Sequence, residues 1–286
     1  MRRGGRSIGC GGRIVLRKGI EETDMLLAVD IGNTNIAVGI FRGKTLAHHW
    51  KIRSEAEKTC DEYMVVLWGL IQSAHLDDEP IREAIVSSVV PPLTPVFQKL
   101  CRDMFQVKSL TVGPGLKTGM PIKYENPMEV GADRVVSAVA ALEKYGGPCI
   151  VVDFGTATTF DAISAGGEYL GGAIAPGVQI SAEALYLRTS KLPRIEIRRP
   201  ERAIGRTTET SMQSGLYFGY IGLVSCLIEK LSAELKGTTT VVATGGFASL
   251  IRREISAIDH YEPHLVLHGL RILSERNRKE GLGEPR

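Results

Sequence analysis

The sequence has no G-x-x-x-x-G-K-[ST] stretch and no G-x-G-x-x-G after a strand-like run, so neither a P-loop nor a dinucleotide-binding turn is available to grip phosphate. Its five cysteines, Cys10, Cys60, Cys101, Cys149 and Cys226, include no C-x-x-C pair. An odd, scattered set argues against a disulfide framework and fits reduced thiols in a cytoplasmic protein. No stretch approaches the roughly 20 uninterrupted apolar residues of a membrane helix. Within residues 1–24 the longest apolar run, Ile14-Val15-Leu16, is too short for the core of a signal peptide. A basic surplus is also missing outside that segment. Arg2, Arg3, Arg6, Arg13, Arg17 and Lys18 against Glu21, Glu22 and Asp24 account for the whole net charge of +3. The remainder is neutral and offers no broad attraction to nucleic acid, so neither a membrane nor a nucleic acid is expected as a partner.

What is present is an ordinary globular mixture, 43% hydrophobic and 23% charged over 286 residues, enough for one large domain or two of about 100 to 200 residues. Residues 1–24 are Gly- and Arg-rich and stop just before the first strong apolar pattern, so they are expected to be a disordered leader or an over-long gene start. Residues 26–31 and 36–41 are β-branched runs joined by a polar turn, a hairpin to which 49–52 adds a third strand. Helical spacing marks 59–76, a short apolar strand 84–90, a helix 94–104 and a strand 107–112. Residues 113–127 form a Gly- and Pro-punctuated loop, and a helix over 128–145 stops at Gly146-Gly147.

After that stop the chain repeats itself. Superposing Asp153 on Asp30, 123 residues earlier, also aligns Gly155 with Gly32, Val152 with Val29 and Ile150 with Leu27. Each copy reads apolar strand, Asp-x-Gly, polar tip, apolar strand. This self-similarity predicts two domains of one fold, 25–146 and 147–286. In the second half, 167–174 reads as a third strand, 211–235 as a long helix, 239–244 as a strand and 247–258 as a helix, and the closing "PHLVLHGLRIL" as a strand passing into a helix. The class is α/β with mixed sheets.

A glycine after a strand-end Asp lets backbone approach a ligand, and a tip rich in Asn and Thr presents amides and hydroxyls to phosphate oxygens. The Asp is a hard oxygen ligand suited to a cation that accompanies a nucleotide. One such turn can equally be a locally capped hairpin; two, each opening a domain, point to a phosphate clamp. "VVATGGFASLI", residues 241–251, is a strand delivered into Gly245-Gly246 and a helix, where a flat ring could lie on bare backbone or where the chain simply turns tightly. His260, His264 and His268 are spaced by four, but Pro263 and the β-rich "LVL" argue against one helical zinc-binding face. Asp161 reads as a surface or turn acid, and the apolar stripe of 211–235 as core or dimer packing.

These features in this order resemble the acetate and sugar kinase, Hsp70 and actin superfamily. Within it, "DIGNTNIAVGIF", "SSVVPPL", "YENPMEVGADRVVSAVAA", "VVDFGTATTFDAIS", "GGAIAPG", "LPRIE", "IGRTTETSMQSG" and "TGGFASLI" are similar to the blocks of the type III pantothenate kinases, in that family's order, from about Met25 to Leu273. The resemblance implies two related RNase H-like (actin-like ATPase) domains. It also implies transfer of the ATP γ-phosphoryl group to pantothenate, the first committed step toward coenzyme A, by a cytoplasmic homodimer using Mg-ATP and a monovalent cation, K+ or NH4+.

Carried over by position, the resemblance gives ATP-phosphate contacts to Asp30, Ile31, Gly32, Asn33, Thr34, Asn35, Ile36 and Ala37, and to Thr156 in the second hairpin. Asp30 is then a candidate Mg2+ ligand and Asp153 the monovalent-cation ligand. Pantothenate falls to Tyr124, Gly131, Ala132, Asp133 and Arg134, with Asp133 taking the hydroxyl proton, and to Thr208 across the dimer, where the adjacent Thr207 is the competing assignment. A carboxylate within reach of a hydroxyl can orient it and accept its proton late in the transfer. For Arg134, a bidentate pair with the substrate carboxylate and a structural salt bridge both remain open. Two other readings stand beside this one: a kinase of the same superfamily for another small hydroxy acid or sugar, and a catalytically silent nucleotide-binding regulator.

Overall fold

The computed structural model describes residues 24–76 and 79–278, so the expected leader lies outside the described residues except for Asp24. The first sheet starts as an antiparallel meander of β1 (Met25–Ile31), β2 (Asn35–Arg42) and β3 (Thr45–Arg53). Helix α1 (Cys60–Ser73) follows, started by a capping box in which Thr59 and Glu62 satisfy each other's backbone N–H. The chain then adds β4 (Ile81–Ser88) parallel to β1 and, after α2 (Leu93–Phe105), β5 (Leu110–Thr111) parallel to β4. Helix α3 (Ala132–Tyr145) leads to β6 (Cys149–Phe154), β7 (Ala157–Ile163) and β8 (Tyr169–Pro176), a second antiparallel meander. After α4 (Val178–Arg188) and α5 (Thr208–Leu235) come β9 (Thr240–Thr244), α6 (Ala248–Ile251), β10 (His260–Tyr261) and α7 (Leu265–Arg278).

The strand orders are β3-β2-β1-β4-β5 and β8-β7-β6-β9-β10, the same topology twice. In each sheet the Asp-bearing strand, β1 or β6, has an antiparallel neighbour on one side and a parallel neighbour on the other. Its carboxyl end is therefore a point where strand order reverses, the usual place for a ligand crevice in an open α/β sheet.

Alternation along the strands splits each sheet into two apolar faces. Leu27, Val29, Ile31, Ile36 and Val38 pack with Tyr63, Leu67 and Phe97 of α1 and α2. On the outer face of the second sheet, Ile150, Val152 and Phe160 pack with Tyr217, Val224 and Ile228 of α5. The third core lies between the sheets: Leu26, Ala28 and Phe41 of the first and Val151, Ile163 and Val242 of the second meet on α3 and α7. Helix α7, the last described element, thus packs back on strands of the first sheet and ties the two halves together.

Several local expectations are corrected. The helix foreseen over 128–145 is a 3-10 turn, Pro127–Glu129, a break at Val130–Gly131, and then α3. The strand over 107–112 shrinks to Leu110–Thr111, the helix over 247–258 is α6 followed by a 3-10 turn at Arg252–Glu254, and α4 was not foreseen. "LVL" at 265–267 is helical rather than extended. Leu265, Leu267 and Leu270 all enter the core between the sheets, and that burial overrides a weak local preference. His264 and His268 consequently lie one turn apart, joined by a backbone hydrogen bond from the His268 N–H to the His264 carbonyl, while His260 sits in β10, stacked on Tyr145.

Candidate active site

The two hairpin tips meet. Each is closed by its own backbone, Gly32 N–H donating to Asn35 O at 3.0 Å and Gly155 N–H to Ala157 O at 3.1 Å. Their hydroxyls touch across the cleft, Thr34 Oγ1 to Thr156 Oγ1 at 2.8 Å. Asn33, Thr34 and Asn35 are exposed there, whereas the side chains of Ile31 and Ile36 are fully buried toward α1 and α2, leaving only their backbone to face a ligand.

Below the tips lie three carboxylates, close enough to feel one another. Burial, Asp133 and Asp153 push Asp30 up to about 7, the neighbouring Ser87 hydroxyl pulling the other way. Burial, Asp133 and Asp161 raise Asp153 to about 7, opposed by Lys51. Asp133 is raised by burial, opposed by the backbone N–H and the charge of Arg134. Asp133 occupies the first turn of α3, where the helix dipole favours its ionised form, and its Oδ1 accepts from Arg134 N–H at 2.9 Å.

The donor set fits a cation brought in with phosphate. Asp30 Oδ1 is buried and has no hydrogen-bond partner, an orphaned acceptor of the kind a hard cation satisfies. Among the described residues no three His, Cys, Asp or Glu side chains are placed to cage a metal by themselves. That suits Mg2+, which typically takes one or two carboxylates and completes its shell with phosphate and water.

Gly245 closes the other side of Asp153. Its φ is +90°, and a Cβ there would fall 2.5 Å from Asp153 Oδ1 and 2.6 Å from Phe154 N. Only glycine brings the β9–α6 turn this close to the carboxylate.

A second cluster gathers around Arg134, the residue after Asp133. Arg134 Nε donates to Asp161 Oδ1 at 2.8 Å, and the Tyr169 hydroxyl donates to the same oxygen at 2.7 Å. Asp161 is 1% exposed, so it is neither a surface nor a turn acid. Alternation explains why: it pairs with Val151 in the sheet and shares that residue's face, toward α3. Burial raises Asp161 to about 6 against the pull of Arg134 and Tyr169. Arg134 is thus anchored by a structural ion pair through Nε. Tyr124, also close enough to act on Arg134 electrostatically, lies with its ring over Gly171, where a Cβ would meet the ring at 3.3 Å.

Thr208 stands apart. It is the first residue of α5, exposed, in an open groove of about 890 Å³ lined by Leu185, Leu192, Gly205, Ser211 and Met212, with none of the cleft residues. Thr207 is the N-cap, its hydroxyl accepting from Thr210 N–H at 3.1 Å, so of the two threonines Thr207 already has a structural task.

Sequence reasoning missed Ser87, Lys51, Tyr169 and the role of Asp161. The register could have found Ser87, since it pairs with Asp30, but only a folded sheet reveals that pairing.

The family model described as type III pantothenate kinase matches residues 26–230. A type III pantothenate kinase of Moorella thermoacetica is 54% identical over 253 residues, 88% of this chain and 100% of the relative. That of Geobacter sulfurreducens is 53% identical over 255 residues, 89% of this chain and 100% of the relative. Among solved structures, a putative Baf family transcriptional activator from Campylobacter jejuni shares the fold at TM-score 0.57 and 18% identity, covering 88% of this chain and 99% of that one. A ROK family glucokinase from Streptomyces griseus, in complex with glucose and AMPPNP, does so at TM-score 0.50 and 10% identity, covering 88% of this chain and 99% of that one. With half of each relative's residues identical along its full length and the family model spanning both hairpins, the chain belongs to the type III pantothenate kinase family.

Proposed function

We propose that this chain phosphorylates pantothenate with ATP, yielding 4'-phosphopantothenate for coenzyme A biosynthesis. The observation that carries the reading is the convergence of two Asp-x-Gly hairpins, joined through Thr34 and Thr156, over three coupled carboxylates. Residues 25–146 and 147–286 act as two jaws. The tip amides and hydroxyls of residues 30–37, with Thr156, orient the phosphate chain. Asp30 holds Mg2+, which supplies charge neutralisation on the phosphate oxygens. Asp153 holds the monovalent cation, K+ or NH4+.

Asp133 is the acceptor-side base. A carboxylate whose pKa is raised by burial is better matched to taking a hydroxyl proton near neutral pH than a solvated one. Arg134, anchored at Nε, keeps its terminal N–H groups for the acceptor's carboxylate. Tyr124, Gly131 and Ala132 complete that side of the pocket.

The enzyme works in the cytoplasm as a homodimer, with Thr208 reaching the partner's substrate. Two facts support the dimer. Helix α5 is long and apolar enough to cross a membrane by length and composition, with 22% of its most apolar window buried. The exposed apolar side chains on or beside it, Phe218 of α5 itself, Ile180 and Leu187 of the adjoining α4 and Ile204 in the segment before α5, come from several different elements, a patch suited to another folded surface.

The test is pantothenate-dependent ADP release, with and without K+, for the wild type and Asp133→Asn. The expected result is K+-stimulated turnover that falls about 10²- to 10⁴-fold in the variant. Activity only on another hydroxy acid or sugar would move the reading to a different kinase of the superfamily, ADP binding without turnover would leave a regulator, and full activity of Asp133→Asn would remove the base assignment.

A further inference from the structure

Strand β3 brings a cation to the cleft. Its partner register is Ala37 opposite Lys51, and Ala37 is itself opposite Asp30 on β1. Directly opposed residues of antiparallel strands project from the same face of the sheet. Asp30, Ala37 and Lys51 therefore form one row on the face turned toward the second half of the molecule, the face that also carries Ala28 and Phe41 in the core between the sheets.

The Lys51 side chain then crosses the cleft. A methyl group built on Gly246 would meet its Nζ at 3.8 Å, which puts the ammonium beside the Gly245–Gly246 turn between β9 and α6. It lies close enough to Asp153 to oppose the rise of that carboxyl. The residue is exposed, and among the described residues no ion pair engages its ammonium. A solvated lysine thus reaches the cleft between the two hairpins, next to the residues assigned to phosphate and to three acids that are all negative when ionised. Polyphosphate brings several more negative charges to that place, and phosphoryl transfer depends on fixed cations that offset them.

We infer that Lys51 is a nucleotide-binding residue that reaches from the third strand of the first half to the ATP phosphates. This inference rests on the kinase reading above. It gives this chain a protein-borne cation at a phosphate site that lacks a P-loop lysine. The contact is a point-charge one, which an arginine of similar reach can largely reproduce.

The experiment compares Lys51→Gln, Lys51→Arg and, as a control on the far β2–β3 turn, Lys44→Gln. Binding of ADP and of adenosine is measured by titration calorimetry, and the KM values for ATP and pantothenate by ADP release. Lys51→Gln should weaken ADP about 10- to 100-fold, the loss of one charge-assisted hydrogen bond. Adenosine binding and the pantothenate KM should stay at their wild-type values, Lys51→Arg should recover most of the ADP affinity, and Lys44→Gln should behave as wild type.

Unchanged ADP binding in Lys51→Gln would overturn the inference, and so would an equal loss of ADP and adenosine, which would mark Lys51 as a structural partner of Asp153. Wild type that binds ADP but does not phosphorylate pantothenate would sink the kinase reading instead, and the ADP titrations would still decide the role of Lys51.

Discussion

Replacing Asp161 by alanine tests the buried cluster behind Arg134. The carboxylate is 1% exposed and the Arg134 side chain 10%, with the Nε–Oδ1 contact at 2.8 Å and the Tyr169 hydroxyl on the same oxygen at 2.7 Å. Removing it strands a buried guanidinium without a counter-charge, which costs about 3–5 kcal/mol, and leaves a buried hydroxyl without its acceptor, about 1–3 kcal/mol more. Part of this is offset, because burial raises Asp161 to about 6 and the variant no longer pays to keep that carboxylate charged. The net expectation is about 3–5 kcal/mol, a large share of the roughly 5–15 kcal/mol that holds a domain together.

In urea this is a fall in midpoint of roughly 1–2 M for a slope of 2–3 kcal/mol/M, read by circular dichroism. Asp161→Asn keeps the shape and an oxygen that can accept from Arg134 or Tyr169 but also lacks the counter-charge, so it should lose less than Asp161→Ala by about the 1–3 kcal/mol of the stranded hydroxyl. It should still raise the pantothenate KM more than the ATP KM, because the guanidinium is no longer held. An unchanged midpoint in Asp161→Ala would refute the reasoning. Equal losses in the two variants would show that the missing counter-charge, and not the missing shape or acceptor atom, carries the effect.

The pH dependence follows from the raised carboxyls at Asp30 and Asp153. A folded-state pKa of about 7 lies above the ordinary value of 3.8, so the folded protein binds more protons than the unfolded chain between these limits. Stability in the absence of ligands therefore falls as pH rises through this window. Melting temperatures at about pH 5 and about pH 8 should show this fall, and Asp30→Asn should reduce it and gain about 1–4 kcal/mol at the higher pH; a flat profile in wild type would contradict the burial, and the lesser mutual repulsion, that raise these carboxyls. Gly245→Ala forces a Cβ to within 2.5 Å of Asp153 Oδ1 at a φ of +90°. It should cost about 1–3 kcal/mol of strain and weaken ADP in calorimetry, and wild-type affinity there would show that the turn does not shape the nucleotide site.

The hairpins were legible because alternation and the Asp-x-Gly punctuation are local signals, and their repetition 123 residues apart survived in the identities themselves. The repeated strand order is the structural form of that repetition. "LVL" at 265–267 was misread because its neighbours in the core, on α3 and the first sheet, lie far away in sequence. Asp161 was misread for a related reason. Its surroundings looked like any hairpin, and only the folding of α3 against β7 supplies Arg134 as its partner.

Taken alone, the chain's residues determined the α/β class and the two Asp-x-Gly turns that carry Asp30 and Asp153, since strand-end acids and turn glycines are encoded within a few residues of one another, whereas Asp133 was singled out by the family resemblance. Only the tertiary structure decided that Thr34 meets Thr156, that Asp161 anchors Arg134, and that Lys51 spans the cleft to Gly246. Those contacts depend on strand register and on two sheets closing over α3 and α7. Neither is a property of any short window of sequence, because the partners are brought together by burying a shared core.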